Sequence, residues 1–390
     1  MKKMFFFACL LLVFSANGQN SRSPRKTTDV KPANPVTTKG SQAKEPGGQD
    51  YLALVRIANS WGYIDMAGKI AINPQFDNAR PFSNGLARVK KLRDWGYIDT
   101  KGTFVINPQF DSEENFSEGL ARVLKYRQWG YIGKAGTYLI NPQFSEAEDF
   151  QGGFARVKKG SDWGVIDTKG TFVVNPQFAD LGPFSCGLAR ARLGREWGFI
   201  DQTGKWVINP QFSDAKDFDK DLARVKKGSD WGFIDKSGIF TINPQFEETG
   251  NFFNGLARAK KMREWGYIDK KGSWIINPQF DEAGDFSSGL ARVRKNREWG
   301  YIDLTGSYSI NLQFEEAEDF PGEIARVKKG NQWGFVGKKG LYVINPQFER
   351  LEEFVEGFSL IKKNQKWGFI NPEGKIILDC LYDEAESFSK

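Results

Sequence analysis

No histidine occurs in the 390 residues. That absence removes Ser-His-Asp and Cys-His nucleophile activation, together with every histidine-containing metal site. Cysteine is nearly absent too: Cys9, Cys186 and Cys380 are too few and too scattered for a disulfide framework or a zinc cluster. Long apolar runs are also missing. The longest, Met4 to Phe14, falls short of the ~18 residues that a membrane-spanning helix needs. The composition therefore points away from an enzyme, from a bound metal or cofactor and from an integral membrane protein.

What the first fifty residues do contain is a basic start at Lys2 and Lys3, the short apolar run, and then small residues at Ala16 and Gly18. This order is that of a secretory signal peptide over residues 1–18, so the chain is expected to be exported and to end up periplasmic, on the cell surface or secreted. Residues 19–50 are rich in Pro, Lys, Thr and Ser, with almost nothing to bury, and read as a flexible linker. The formal net charge is +7, and five of those charges lie before residue 51. The remainder is close to neutral, which leaves a nucleic-acid partner without an electrostatic basis.

From residue 51 onward one sentence is written ten times. Trp-Gly recurs at Trp61, Trp95, Trp129, Trp163, Trp197, Trp231, Trp265, Trp299, Trp333 and Trp367, always 34 residues apart, and ten such units fill residues 51–390. A fixed period means one structural unit repeated. Within a unit, "LARVKK", "WGYID" and "TFVINPQF" carry β-branched and aromatic residues in alternation, and no segment has apolar residues at helical spacing. "IDTKG" supplies Asp and Gly at the ends of a tight turn, which accounts for Asp65, Asp99, Asp167, Asp201, Asp235, Asp269 and Asp303 without catalysis or calcium. The Asn-Pro step suits an edge strand. Each unit thus reads as a three-stranded antiparallel meander. Its middle strand is apolar on both faces, Trp95 and Tyr97 on one and Ile98 on the other, so units must stack to cover one another.

Two rows show how the stack is expected to end. The position of Phe104 is aromatic in every interior unit (Phe104, Tyr138, Phe172, Trp206, Phe240, Trp274, Tyr308, Tyr342) but is Ile70 in the first and Ile376 in the last. The Arg of "LAR" fills the same eight units (Arg88, Arg122, Arg156, Arg190, Arg224, Arg258, Arg292, Arg326), with Leu54 and Leu360 outside them. Terminal units that differ from interior ones suit an open array with solvent-facing ends. The expected fold is therefore all-β, an open superhelix or solenoid of stacked meanders. The alternative is a closed propeller-like ring, whose join would also look unusual.

Trp-Gly followed by aromatic-Ile-Asp, a turn glycine, "INPQF" and "F-x-x-G-L-A-R-V" resembles the WG, or KWG, repeat family of bacterial proteins. The departures are small: Gly133, Gly337 and Asn371 at the turn Asp, and Leu312 at the Pro. The resemblance implies an exported β-repeat module that binds other molecules. The expected function is a non-catalytic scaffold presenting an extended surface to a protein partner of unknown identity; the alternative is a carbohydrate or cell-wall binder. The aromatic and arginine rows are the candidate surface, because sugars and peptides stack on aromatic platforms and bond to guanidinium groups. The competing reading of both rows is contact between neighbouring units. The ten tryptophans are assigned to the repeat core.

Overall fold

A computed structural model of the chain describes residues 51–390; the expected signal peptide and linker lie outside the described residues. The described part is built of ten four-stranded antiparallel sheets. In one of them the strands run Asn78–Ala79, Leu86–Lys91, Asp94–Asp99 and Phe104–Phe110, paired in that order. We call these the short, LARV, Trp-Gly and NPQF strands of a blade.

The short strand corrects the three-stranded unit expected from sequence. Two residues such as Asn78-Ala79 cannot display alternation, yet Asn78 pairs with Lys90 and Ala79 with Val89. The short strand also comes from the preceding 34-residue unit. Each unit lends its last strand forward to the next blade, two residues in nine blades and Arg350–Val355 in the tenth. The last unit lends Glu384–Ala385 to the first, pairing Ala385 with Val55 and Glu384 with Arg56. Leu52 and Ser389 add a bridge, exchanging two backbone hydrogen bonds of 3.0 Å.

That loan closes the array, so the open superhelix is overturned: the ten sheets form a ring, a ten-bladed β-propeller. The core says the same. Among the described residues there are ten apolar clusters, one at each junction between neighbouring blades, where an open stack of ten would have nine. In a typical junction, Tyr97, Ile106 and Phe110 of one blade meet Phe116, Ala121, Val123 and Ile132 of the next. The closing junction sets Phe358, Leu360, Phe369 and Leu378 against Ala53, Val55, Ile64 and Phe388. Leu360 and Leu54, read above as solvent-facing ends, are in fact buried on either side of the seam, Leu360 beside Ala385 and Leu54 beside Ala79. There an apolar contact takes the place of the arginine bridge that links interior blades.

Glycine follows tryptophan for a reason the spacing alone does not show. Trp95 pairs with Phe110 and Tyr97 with Ile106, so the three residues Asn107, Pro108 and Gln109 stand opposite Gly96 alone. This bulge folds the NPQF strand over the glycine. A Cβ at Gly96 would lie 2.5 Å from the Ile106 carbonyl oxygen and 2.7 Å from the Pro108 nitrogen. Proline is welcome there because a bulged residue has no ladder bond to donate. Trp-Gly and Asn-Pro are therefore two halves of one device.

The loop after the Trp-Gly strand is built as its sequence suggests. Asp99 Oδ1 accepts hydrogen bonds from the backbone N–H groups of Lys101 (2.9 Å) and Thr103 (2.8 Å), and Gly102 takes a φ of 80°. With no side chain, Gly102 rests against Ile72 of the preceding blade. At the seam Gly68 rests against Leu378 in the same way.

Candidate interaction face

The two rows singled out in the sequence occupy the junctions between blades. Each interior arginine sends Nη1 to a carbonyl of the next blade 25 residues on, for example Arg88 to Glu113 (2.9 Å), Arg190 to Ala215 (3.0 Å) and Arg292 to Ala317 (2.7 Å). Seven of the eight also hold a carboxylate, such as Arg88 with Glu114 (2.8 Å), Arg122 with Asp149 (2.8 Å) and Arg258 with Asp285 (2.9 Å). Five of these guanidinium groups lie over tryptophan rings, for example Arg258 at 5.0 Å from Trp265 and Arg122 at 5.2 Å from Trp129. The tryptophans themselves are only partly core. Trp95 and Trp265 are buried; the other eight are half-buried under arginine and lysine stems.

The aromatic row lies along the NPQF edge strands. Its rings meet the last Phe of the preceding blade's NPQF strand nearly at right angles, as in Phe104 on Phe76 (6.3 Å) and Trp206 on Phe178 (5.5 Å). Only Tyr138 and Tyr308 count as exposed. A further contact absent from the sequence reading is made by Tyr63, Tyr97, Tyr131, Tyr267 and Tyr301. Each buried hydroxyl donates to a carbonyl of the next blade, Tyr97 to Glu114 at 2.7 Å.

One residue breaks the pattern of the short strands. Their second position is Ala79, Ala147, Leu181, Ala215, Thr249, Ala283, Ala317, Leu351 and Ala385, but in one blade it is Glu113, which is 3% exposed. Burial pushes its carboxyl up to about 8, while Arg88, 3.7 Å away, works against the shift and Glu114 adds to it. Its Oε2 has no hydrogen-bond partner.

Sequence reasoning also passed over the two-residue turns joining LARV to Trp-Gly strands. Because the blades repeat around the ring, these ten turns share one face. The first turn residue takes a positive φ, and glycine or asparagine fills that slot at Gly160, Gly194, Gly228, Asn296, Gly330 and Asn364. One blade has Ala58 there, at φ of 54°, and three place Leu92, Tyr126 and Met262, at φ of 61°, 52° and 53°. These three side chains are 84%, 84% and 82% exposed, so they gain little packing, the Lys125 ammonium over the Tyr126 ring aside, for a conformation that costs a non-glycine residue roughly 1–2 kcal/mol. Leu92 and Tyr126 are on adjacent blades. Exposed Arg93, Arg127 and Arg263 follow the three, and Arg195 and Arg297 hold the same slot in two further turns. The turns are pinned from below: the Leu92 N–H donates to Asp77 (2.6 Å) and the Tyr126 N–H to Asp111 (3.0 Å). The signal was legible, since a slot held by Gly or Asn in six repeats and by Ala58 in one is interrupted by Leu, Tyr and Met.

Ten successive segments match a family model described as WG containing repeat: residues 61–92, 95–126, 129–161, 163–195, 197–229, 231–261, 265–298, 299–333, 333–367 and 367–390. No curated protein matches the chain. Solved structures match only distantly. A eukaryotic initiation factor is 11% identical over 75% of this chain and 95% of its own, with a TM-score of 0.47. Kluyveromyces lactis Hsv2p is 8% identical over 57% and 91%, at 0.35. PorZ, a bacterial surface component of the type-IX secretion system of Porphyromonas gingivalis, is 10% identical over 82% and 56%, at 0.26. The ring rests on its own strand pairing and not on these likenesses.

Proposed function

From the premise that the chain belongs to the WG containing repeat family, we propose that it is an exported, non-catalytic scaffold whose propeller binds a protein partner through the turn face. The observation that carries this reading is the set Leu92, Tyr126 and Met262. Large apolar side chains held in left-handed backbone and left in water lower stability, and such local cost is kept where a surface is used. Arg93, Arg127 and Arg263 beside them suit a partner that offers apolar anchor sites ringed by carboxylates, since aromatic and arginine residues dominate binding hot spots. The absence of histidine and the near identity of the ten units support a binding role over catalysis. The carbohydrate alternative would need a row of free aromatic faces; the aromatic row instead leans on neighbouring blades, and the most exposed aromatic ring of the turn face, Tyr126, stands without an aromatic neighbour in the adjoining turns.

The test replaces Leu92, Tyr126 and Met262 together with glycine. The variant should melt at the same temperature as the parent or higher, because glycine relieves the positive φ. Affinity capture quantified by mass spectrometry, run beside a polysaccharide panel, should lose proteins that the parent retains. A variant that captures the same proteins as the parent overturns the reading.

A further inference from the structure

The arginine row contains one exception, and it lies on the ring face opposite the turns. Three positions can supply a carboxylate to a row arginine: eight residues before it in its own blade, and 26 or 27 residues after it in the next. Arg88 uses Glu114, Arg156 uses Glu148, and Arg122, Arg190, Arg258 and Arg292 use Asp149, Asp217, Asp285 and Asp319. Arg326 draws on Glu318, Glu352 and Glu353. For Arg224 the three positions hold Lys216, Gly250 and Asn251. It keeps the bond from Nη1 to the Thr249 carbonyl, but among the described residues no carboxylate oxygen lies within 4 Å of its guanidinium. Its Nε is shut away from solvent, as it is in Arg88, Arg190, Arg258, Arg292 and Arg326, so the missing carboxylate is what sets Arg224 apart.

At this place the junction opens into a cavity of about 180 Å³, walled by Phe233 and Phe252 and reached by Arg224, Asn251 and Lys270. Asp219 and Asp221 stand at the rim, where Asp221 lies 4.0 Å from Lys236. Burial draws the guanidinium's proton affinity down, while the charges of Asp285, Asp214 and Asp219, none of them within 4 Å, work against that shift. Seven sibling sites show what completes this geometry: a carboxylate on the free edge of the guanidinium.

We propose that Arg224 and this cavity form a binding site for an external carboxylate, which takes the place that an aspartate or glutamate holds beside the other row arginines. The oxygens accept from the guanidinium edge, Asn251 offers its amide and Lys270 its ammonium, and the apolar stem lies against Phe252. Two sources share this chemistry, an acidic side chain and a chain-terminal carboxylate, so the probes are propionate for the first and N-acetylglycine for the second.

The test compares the parent, Asn251→Asp and Arg224→Gln by thermal melting and titration calorimetry at constant ionic strength. Asn251→Asp restores the internal partner found at four sibling sites, those of Arg122, Arg190, Arg258 and Arg292. It should raise the melting temperature without any ligand and weaken binding of both probes by at least about tenfold, the value of one charge-assisted hydrogen bond. Arg224→Gln should abolish binding. In the parent the tighter of the two probes names the source. Equal binding by parent and Asn251→Asp, or no rise in the melting temperature of Asn251→Asp, overturns the site. Inorganic phosphate stabilising the parent as strongly as propionate overturns the carboxylate assignment.

Discussion

Replacing Glu113 with Gln tests whether a carboxyl group is held neutral inside one blade junction. Glutamine keeps the size and the hydrogen-bonding shape but cannot ionise. In the folded ring Glu113 titrates at about 8, raised by burial, against 4.5 when the chain is unfolded. Between those two values the folded state holds a proton that the unfolded state has released. The native protein must therefore become less stable relative to Glu113→Gln as pH rises, by about 1.4 kcal/mol per unit. The difference is absent below 4.5, amounts to about 3 kcal/mol at pH 7, and stops growing above 8. Urea melts of both proteins from pH 4 to 9 measure it directly. A difference that stays flat across this range would refute the reasoning, because Glu113 would then be ionised throughout and paired with Arg88, 3.7 Å away.

Closure of the ring predicts that cysteines placed at Leu52 and Ser389, in a background without Cys186 and Cys380, oxidise to an intramolecular disulfide. The two residues exchange backbone hydrogen bonds, which sets their Cα atoms about 5.5 Å apart, within disulfide reach. Non-reducing gels should show a faster band, and its absence under oxidant would reopen the array. Changing Trp206 and Trp274 together to Leu should lower stability by roughly 1–2 kcal/mol per site, since each ring packs on the preceding blade, at 5.5 Å from Phe178 and 5.6 Å from Phe246. Melting curves read the loss; an unchanged melting curve with lost polysaccharide binding would return the aromatic row to a sugar-binding role.

Much of the ring is legible in the repeats, and what is not has identifiable causes. Alternation in "LARVKK" and "TFVINPQF" reveals their strands because several residues share a face, whereas Asn78-Ala79 has too few residues to alternate. The apolar character of Tyr97 and Ile98 on opposite faces correctly demands neighbours on both sides. It does not say whether the last unit finds the first. Leu54, Leu360, Ile70 and Ile376 mark a place where the row chemistry changes, and a seam changes it as an end would. The distinction lies in pairing across 330 residues, between Val55 and Ala385, which no local pattern encodes. At the site, the rows drew attention through their regularity, while the informative positions are the interruptions: Glu113 among mostly alanines, Leu92 and Tyr126 among mostly glycines and asparagines, and Arg224, whose three carboxylate positions hold Lys216, Gly250 and Asn251.

The forward loan of the short strand has a consequence for how such a chain can lengthen or shorten. An open stack grows by one unit without disturbing the rest. Here each of the ten junctions turns through one tenth of a circle, so a duplicated or lost 34-residue segment forces every junction to a new angle at once. Unequal recombination between near-identical repeats is thus filtered by the shape of the whole ring. Because every blade borrows one strand from the preceding unit, the filter acts equally wherever along the gene the exchange occurs.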